Sequence, residues 1–215
     1  MNKIPEIGEF NYYGVFQIYD YRDIEYLPEN VFNDLSIRKL SIADCYKLKE
    51  LPESVGNLSY LTELEIKGCI GDLSDFKKIP DSIEKLKCLK RLTICGTAIQ
   101  SLPNNIGNLE NLTELEIQNN WNLHQLPETI GNLKKLKTLR LEGGKLMSLP
   151  ESIGELENLQ YLNIEKNDLE YLPKSIGELQ SLQELYMKEN YLRFLPDSIG
   201  ELKNIKYIDV KYNLL

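Results

Sequence analysis

Histidine is almost missing from this chain: His124 is the only one in 215 residues, beside a single tryptophan, Trp121, and four cysteines. The cysteines, Cys45, Cys69, Cys88 and Cys95, include no C-x-x-C pair. Neither a zinc site nor a secreted disulfide framework follows from such a set, and no cofactor is expected. Reduced thiols and a cytoplasmic setting are the default reading. Basic residues are in deficit, 25 against 33 acidic, for a formal net charge of -8. Binding to nucleic acid needs a basic footprint for its phosphates, so it is excluded as an expectation. No apolar run approaches the ~18 residues that read as a bilayer span, which argues against membrane insertion. Met1 to Glu9 carries Pro5 and two glutamates where a signal peptide has its apolar stretch. An exported effector or surface protein, with its signal outside this chain, is the alternative to a cytoplasmic one.

What is abundant is self-similarity. A Leu-Pro or Ile-Pro pair begins at Leu27, Leu51, Ile79, Leu102, Leu126, Leu149, Leu172 and Leu195, at intervals of 24, 28, 23, 24, 23, 23 and 23 residues. Behind each pair runs one apolar pattern, clearest in Ile153, Leu156, Leu159, Leu162 and Ile164, closed by Asn167. A fixed period of this length means one stacked solenoid instead of two globular domains.

Each stretch can be read as a coil. The proline sets an extended backbone for the crossing from the inner to the outer side. Ser152 stands three residues before Glu155, the spacing of a capping box, as do Ser175 with Glu178 and Ser198 with Glu201, which predicts capped helical turns. Leu162 and Ile164 are the inward side chains of a short strand. Asn167, with Asn120, Asn190 and Asn213, is expected to bond the backbone of its own and the neighbouring coil. Tyr21, Cys45, Cys69, Thr97 and Gly144 take that place elsewhere. Two readings stand for Cys45 and Cys69: small buried substitutes for asparagine, or a disulfide between adjacent coils.

Upstream, Tyr13, Phe16, Ile18, Tyr21 and Ile24 repeat the spacing of Ile37, Leu40, Ile42, Cys45 and Leu48. Residues 1–26 thus form an irregular N-terminal capping coil, continuous with a solenoid over 27–215. Nine strands are expected, centred near Gln17, Ser41, Glu65, Thr93, Glu116, Arg140, Asn163, Tyr186 and Asp209. No polar cap follows the ninth. Either the last residues fold over that edge, the edge makes a homo-oligomer, or the natural protein continues.

The unit L-P-x-S-I-G-x-L-x-x-L-x-x-L-x-I-x-x-N, seen at 149–167 and 172–190, resembles the 23-residue leucine-rich repeats of bacterial proteins, leptospiral ones among them. It is also similar to those of plant intracellular Ras-group-related proteins and of animal scaffolds of the Scribble and Ras-suppressor kind. The resemblance implies an α/β repeat solenoid, a right-handed horseshoe with a concave parallel sheet and short 3₁₀ or irregular convex segments. It also implies a domain that binds other proteins.

If Leu162 and Ile164 face inward, then Tyr161, Asn163 and Glu165 face the concave solvent side. Carried through every coil, this rule places Tyr161, Tyr186 and Tyr207 on three successive strands, within about 5 Å per step. Tyrosine there reads as an interface anchor or simply as a good strand residue. Glu63, Glu65, Glu114, Glu116, Glu142, Glu165 and Glu184 make the face acidic, relieved by Lys67, Arg91, Arg140 and Lys188. A basic partner surface would be steered to it, although a solvated charged face reads the same way. The candidate contacts are therefore Tyr161, Tyr186, Tyr207, Glu63, Glu65, Glu114, Glu116, Arg140, Asn163 and Asp209, with Trp121 on a loop at the rim. The longer coil from Ile70 to Lys78 carries Leu73 and Phe76, expected in the core.

Catalysis finds little support. His124 falls on a loop after the fifth strand and Cys95 on the fourth, so no nucleophile has its base at hand. Glu114 and Glu116 lack a closed pocket that would separate their pKa values. The expectation is a non-catalytic protein-interaction module. A receptor for a glycan or small ligand, and the recognition part of a larger effector such as a ubiquitin ligase, are the alternatives.

Overall fold

Regular coils stack in sequence order into one open sheet. The computed structural model describes residues 7–10, 14–33, 36–68 and 75–215. Tyr13, Cys69 and Leu73 lie outside the described residues.

Ten strands form in the order of the chain: β1 (Glu9–Phe10), β2 (Val15–Tyr19), β3 (Lys39–Ala43), β4 (Glu63–Lys67), β5 (Arg91–Cys95), β6 (Glu114–Gln118), β7 (Thr138–Arg140), β8 (Tyr161–Asn163), β9 (Glu184–Tyr186) and β10 (Tyr207–Asp209). β2 to β10 are the nine parallel strands expected. β1 is an addition that periodicity does not reach. It runs antiparallel to β2, with Glu9 opposite Gln17 and Phe10 opposite Phe16. Two residues are too short for any pattern, and the geometry depends on Gly8 at φ +98°, where an added Cβ would meet the Phe16 ring.

The strands form because alternate residues are apolar. Leu40 and Ile42, Leu64 and Ile66, Leu92 and Ile94, and Leu115 and Ile117 are all buried, in register from strand to strand. On the other side of the coil lie seven 3₁₀ segments: Glu53–Asn57, Asp81–Lys85, Asn104–Asn108, Glu128–Asn132, Glu151–Glu155, Lys174–Glu178 and Asp197–Glu201. Their third residues, from Val55 to Ile176, are fully buried, and only Ile199 in the last coil is partly exposed. Phe76 also belongs to the core, as the longer coil predicted.

The capping boxes do not form. Pro150, Pro173 and Pro196 occupy the cap positions, in extended conformation with no side-chain cap bond, so each serine lies two residues too far inside. Ser152 Oγ has no hydrogen-bond partner among the described residues. The glutamate of one coil caps the next coil instead: Glu53 accepts from the Ser82 amide at 3.0 Å and Glu151 from the Ser175 amide at 3.1 Å. Hydrogen bonding to Ser175 holds the Glu151 carboxyl below its ordinary pKa. The glycine after the buried isoleucine serves close approach. A Cβ at Gly177 would stand 2.3 Å from the Ser198 carbonyl oxygen.

The asparagine ladder forms as expected. Asn190 donates to the carbonyls of Ile164, Met187 and Lys188 and accepts from the Leu169 amide. Asn120 and Asn213 act alike. Cys45 imitates the pattern with its thiol, which reaches the Ala43 and Ile18 carbonyls at 3.3 and 3.8 Å. It is a free cysteine, and burial pushes its pKa up.

Candidate partner-binding surface

The sheet register places two concave columns as the sequence predicts. One runs Val15, Lys39, Glu63, Arg91, Glu114, Thr138, Tyr161, Glu184, Tyr207, and the next Gln17, Ser41, Glu65, Thr93, Glu116, Arg140, Asn163, Tyr186, Asp209. Their side chains stand on the pleated face opposite the core, so the solenoid displays them at the spacing of the strands.

The acidic half of the columns is an alternating lattice of charge. Lys39 approaches Glu63 at 3.5 Å, and Arg91 pairs with the same carboxylate and reaches Glu114 at 4.0 Å. Glu65 holds Lys67 at 2.6 Å and accepts from the Ser41 hydroxyl at 3.0 Å. Burial alone would raise the Glu65 pKa; the bonds from Lys67 and Ser41 outweigh it and leave the carboxyl below its usual range. Glu116 pairs with Arg140 at 3.1 Å and Glu142 with Lys166 at 2.8 Å. Most candidate carboxylates are thus internally matched. Glu165 is different: burial and the neighbouring Glu142 push its pKa up.

The tyrosines come together. The rings of Tyr161 and Tyr186 are 5.2 Å apart between centroids, and those of Tyr186 and Tyr207 likewise 5.2 Å, tilted by 36° and 41°. Tyr186 comes from the second column and sits between two rings of the first. Its hydroxyl donates to Glu184 at 2.8 Å, and that bond, with some desolvation, pushes its pKa to about 12. At one end of the row, Arg140 lays its guanidinium 4.3 Å from the Tyr161 ring centroid and donates to the Tyr161 hydroxyl at 3.2 Å. At the other end, the Tyr207 hydroxyl donates to Asp209 at 3.3 Å.

Asn163 departs from expectation. It lies in its predicted column yet is only 4% exposed, between the larger Arg140 and Tyr186, and its Oδ1 accepts the Glu165 amide. It shapes the face more than it offers itself. Asp209 too is already engaged, by Tyr207 and by the Lys211 amide.

Trp121 stands apart from the sheet, exposed on the loop after β6, and shares a shallow groove with Tyr191 and Tyr212. A second exposed pair, Tyr171 and Phe194, lines another groove with Pro150, Pro173 and Pro196. Sequence reasoning passed over Tyr191, Tyr212, Tyr171 and Phe194. The repeat register carries the signal, since Tyr191 follows a ladder asparagine as Trp121 does, and Tyr171 and Phe194 each precede a Leu-Pro pair. His124 is exposed, and its amide donates to the Gln100 carbonyl at 3.4 Å. Among the described residues, no group of three or more His, Cys, Asp or Glu is arranged to hold a metal ion, and no helix is long and apolar enough to cross a membrane.

Comparison with known proteins agrees with this architecture. A leucine-rich repeat protein of Leptospira interrogans superposes with a TM-score of 0.62 at 26% identity, over 90% of this chain and 54% of that one. The Drosophila Toll–Spatzle complex has a TM-score of 0.63 at 20% identity, over 87% of this chain and 31% of its own. A protein of Arabidopsis thaliana named "Probable disease resistance protein" is 29% identical over 124 residues, 56% of this chain. The chain spans 7% of that relative's length, and about half of the leptospiral one's. The leucine-rich repeat region profile matches residues 1–122 and the leucine rich repeat profile residues 135–192 and 157–215. Domains of this kind are generally protein-interaction modules. By these matches and its coils, the chain belongs to the leucine-rich repeat family.

Proposed function

We propose that this chain is a non-catalytic module that binds a partner protein on its concave sheet, with Tyr161, Tyr186 and Tyr207 as the anchor. The observation that carries the reading is the row of three rings at 5.2 Å steps on a rigid parallel sheet. Tyrosine contributes large, stiff contact area with a hydroxyl at its end, and a row already in place loses little entropy on binding. A net charge of -8 favours a partner with a basic surface. Because Glu63, Glu65, Glu114 and Glu116 are already matched by cations, Glu165 and Glu184 are the carboxylates that would steer it. The neighbouring Toll structure is itself a complex of two proteins.

The test is affinity capture from native lysate with the parent chain and with a Tyr161→Ala, Tyr186→Ala, Tyr207→Ala variant of unchanged circular dichroism, followed by cross-link mapping. A protein retained by the parent, lost by the variant and cross-linked to β8, β9 or β10 supports the reading. A partner held equally by both, or cross-linked around Trp121, overturns it.

Self-association through β10 is a second reading, favoured by exposed apolar side chains on and beside that strand: Ile208, Leu214 and Leu215 are 37%, 58% and 56% exposed. A Cβ at Gly200 would meet nothing within 4 Å, whereas the equivalent glycines are filled by a following coil. Sedimentation velocity of the parent and of Ile208→Glu decides it: a dimer abolished by the substitution supports the reading, and a parent that is monomeric at high concentration ends it.

A further inference from the structure

We infer that the C-terminal end of the concave face is a guanidinium site, which takes an arginine side chain of the partner on the rings of Tyr186 and Tyr207. This rests on the concave-face reading above and adds the chemistry of the contact.

The chain itself contains the pattern. At the inner end of the tyrosine row, the Arg140 guanidinium is stacked 4.3 Å from the Tyr161 ring centroid, bonds its hydroxyl at 3.2 Å, and is neutralised by Glu116 at 3.1 Å. Ring, hydroxyl and carboxylate act together on one planar cation. Arginine suits such a place better than lysine because its guanidinium is flat, weakly hydrated and able to stack while it donates sideways.

The outer end has the same components. Tyr186 and Tyr207 present two more rings, Tyr207 44% exposed, and among the described residues no cation is stacked on either. Their hydroxyls already point to carboxylates, Tyr186 to Glu184 and Tyr207 to Asp209. Each carboxylate keeps lone pairs for a further donor, since one oxygen accepts more than one bond. Glu165 adds negative charge beside them, crowded by Glu142 and Asp209. The nearby lysines are committed elsewhere: Lys166 to Glu142, and Lys188 to Glu189 and the Tyr212 ring. Among the described residues, Lys211 approaches Asp209 at 4.0 Å, and Lys188 and Lys166 act on Glu165 without forming an ion pair with it. Aromatic faces and carboxylates without a stacked cation are what a guanidinium complements, and neither a neutral nor an anionic partner group satisfies both.

The test is titration of the chain, ¹³C-labelled in its tyrosine rings, with three capped hexapeptides: (Gly-Arg)₃, (Gly-Lys)₃ and (Gly-citrulline)₃. Citrulline keeps the shape of arginine without its charge. The arginine peptide is expected to shift the Tyr186 and Tyr207 resonances and to bind about threefold or more tighter than the lysine peptide, with the citrulline peptide weaker than both. Tyr207→Phe should retain that preference, because the ring remains, whereas Tyr207→Leu should lose it. Equal binding of arginine and lysine peptides, or a Tyr207→Leu variant that keeps the preference, overturns the guanidinium site and leaves the concave-face reading standing. Shifts confined to Tyr191 and Tyr212, which line the Trp121 groove, overturn both.

Discussion

The Asn167 side-chain amide lies 2.7 Å from the carbonyl oxygen of Leu141, 26 residues earlier, and so closes the backbone of the preceding coil. The same amide serves Ile164 and Glu165, and its oxygen takes the Leu146 amide at 3.1 Å. At 4% exposure, none of those backbone groups has water as a ready substitute. Asn167→Ala is expected to cost about 2–4 kcal/mol of unfolding free energy, since it strands several buried polar groups at once. Cys45→Ala, which removes only weak thiol bonds, should cost about 1 kcal/mol. Urea denaturation of both variants, followed by circular dichroism, checks the ranking.

The contrast between these two residues shows how much of the molecule is legible in its sequence. Periodicity reveals the apolar positions, so the register of β2 to β10, the ladder asparagines and the tyrosine row all follow from one repeat unit. Contacts made between coils are less visible. Ser152 and Glu155 carry the spacing of a local capping box, but the bond that forms runs between coils, from the Ser175 amide to Glu151, and Ser152 Oγ is left without a partner among the described residues. Asn163 is read as exposed from strand alternation, but its larger neighbours on β7 and β9 cover it, and alternation is blind to neighbour size. β1, with two residues, has no period to display.

Tyr186 should titrate late for a tyrosine. Its hydroxyl is a donor to the Glu184 carboxylate, so loss of the proton breaks a bond and sets two negative charges together, which raises the pKa from 10.0 to about 12. The folded state therefore holds this proton more tightly than the unfolded one. Its stabilising contribution is complete below pH 10 and is lost as pH climbs from 10 to about 12. Absorbance titration of the phenolates at alkaline pH should show one late group, absent in Tyr186→Phe. A variant that retains the late group assigns it to another residue.

Glu65 predicts the opposite limb. Lys67 and Ser41 hold its carboxyl below the ordinary value of 4.5, against the upward push of burial. The folded state binds this proton less readily than the unfolded one, so the contribution is present above pH 4.5 and falls away as pH drops through the lower folded value. Glu65→Gln removes that titration. The drop in Tm between pH 7 and pH 3 should be smaller in the variant than in the parent, although its Tm at pH 7 is lower. An unchanged acid slope would mean that Glu65 contributes nothing to acid unfolding.

Two equivalent glycines should respond with opposite signs. At Gly177 an added methyl group would stand 2.3 Å from the Ser198 carbonyl oxygen and 2.8 Å from the Ser198 Cβ, both held by the coil that follows. Backbone there cannot swing aside as a flexible side chain would, so Gly177→Ala is expected to cost about 1–3 kcal/mol as overpacking. At Gly200 the same methyl group meets nothing within 4 Å, and its φ lies outside the region that excludes alanine. Gly200→Ala should therefore stabilise the chain by about 0.4–1 kcal/mol, chiefly because the unfolded state loses freedom. Urea denaturation of the two variants measures both values. The Gly200 result also reports on the edge beyond it: if a second copy packs its own coil into that slot, Gly200→Ala will weaken the dimer in sedimentation velocity while it stabilises the monomer, and a variant that stabilises the monomer without touching association places the contact elsewhere on the β10 edge.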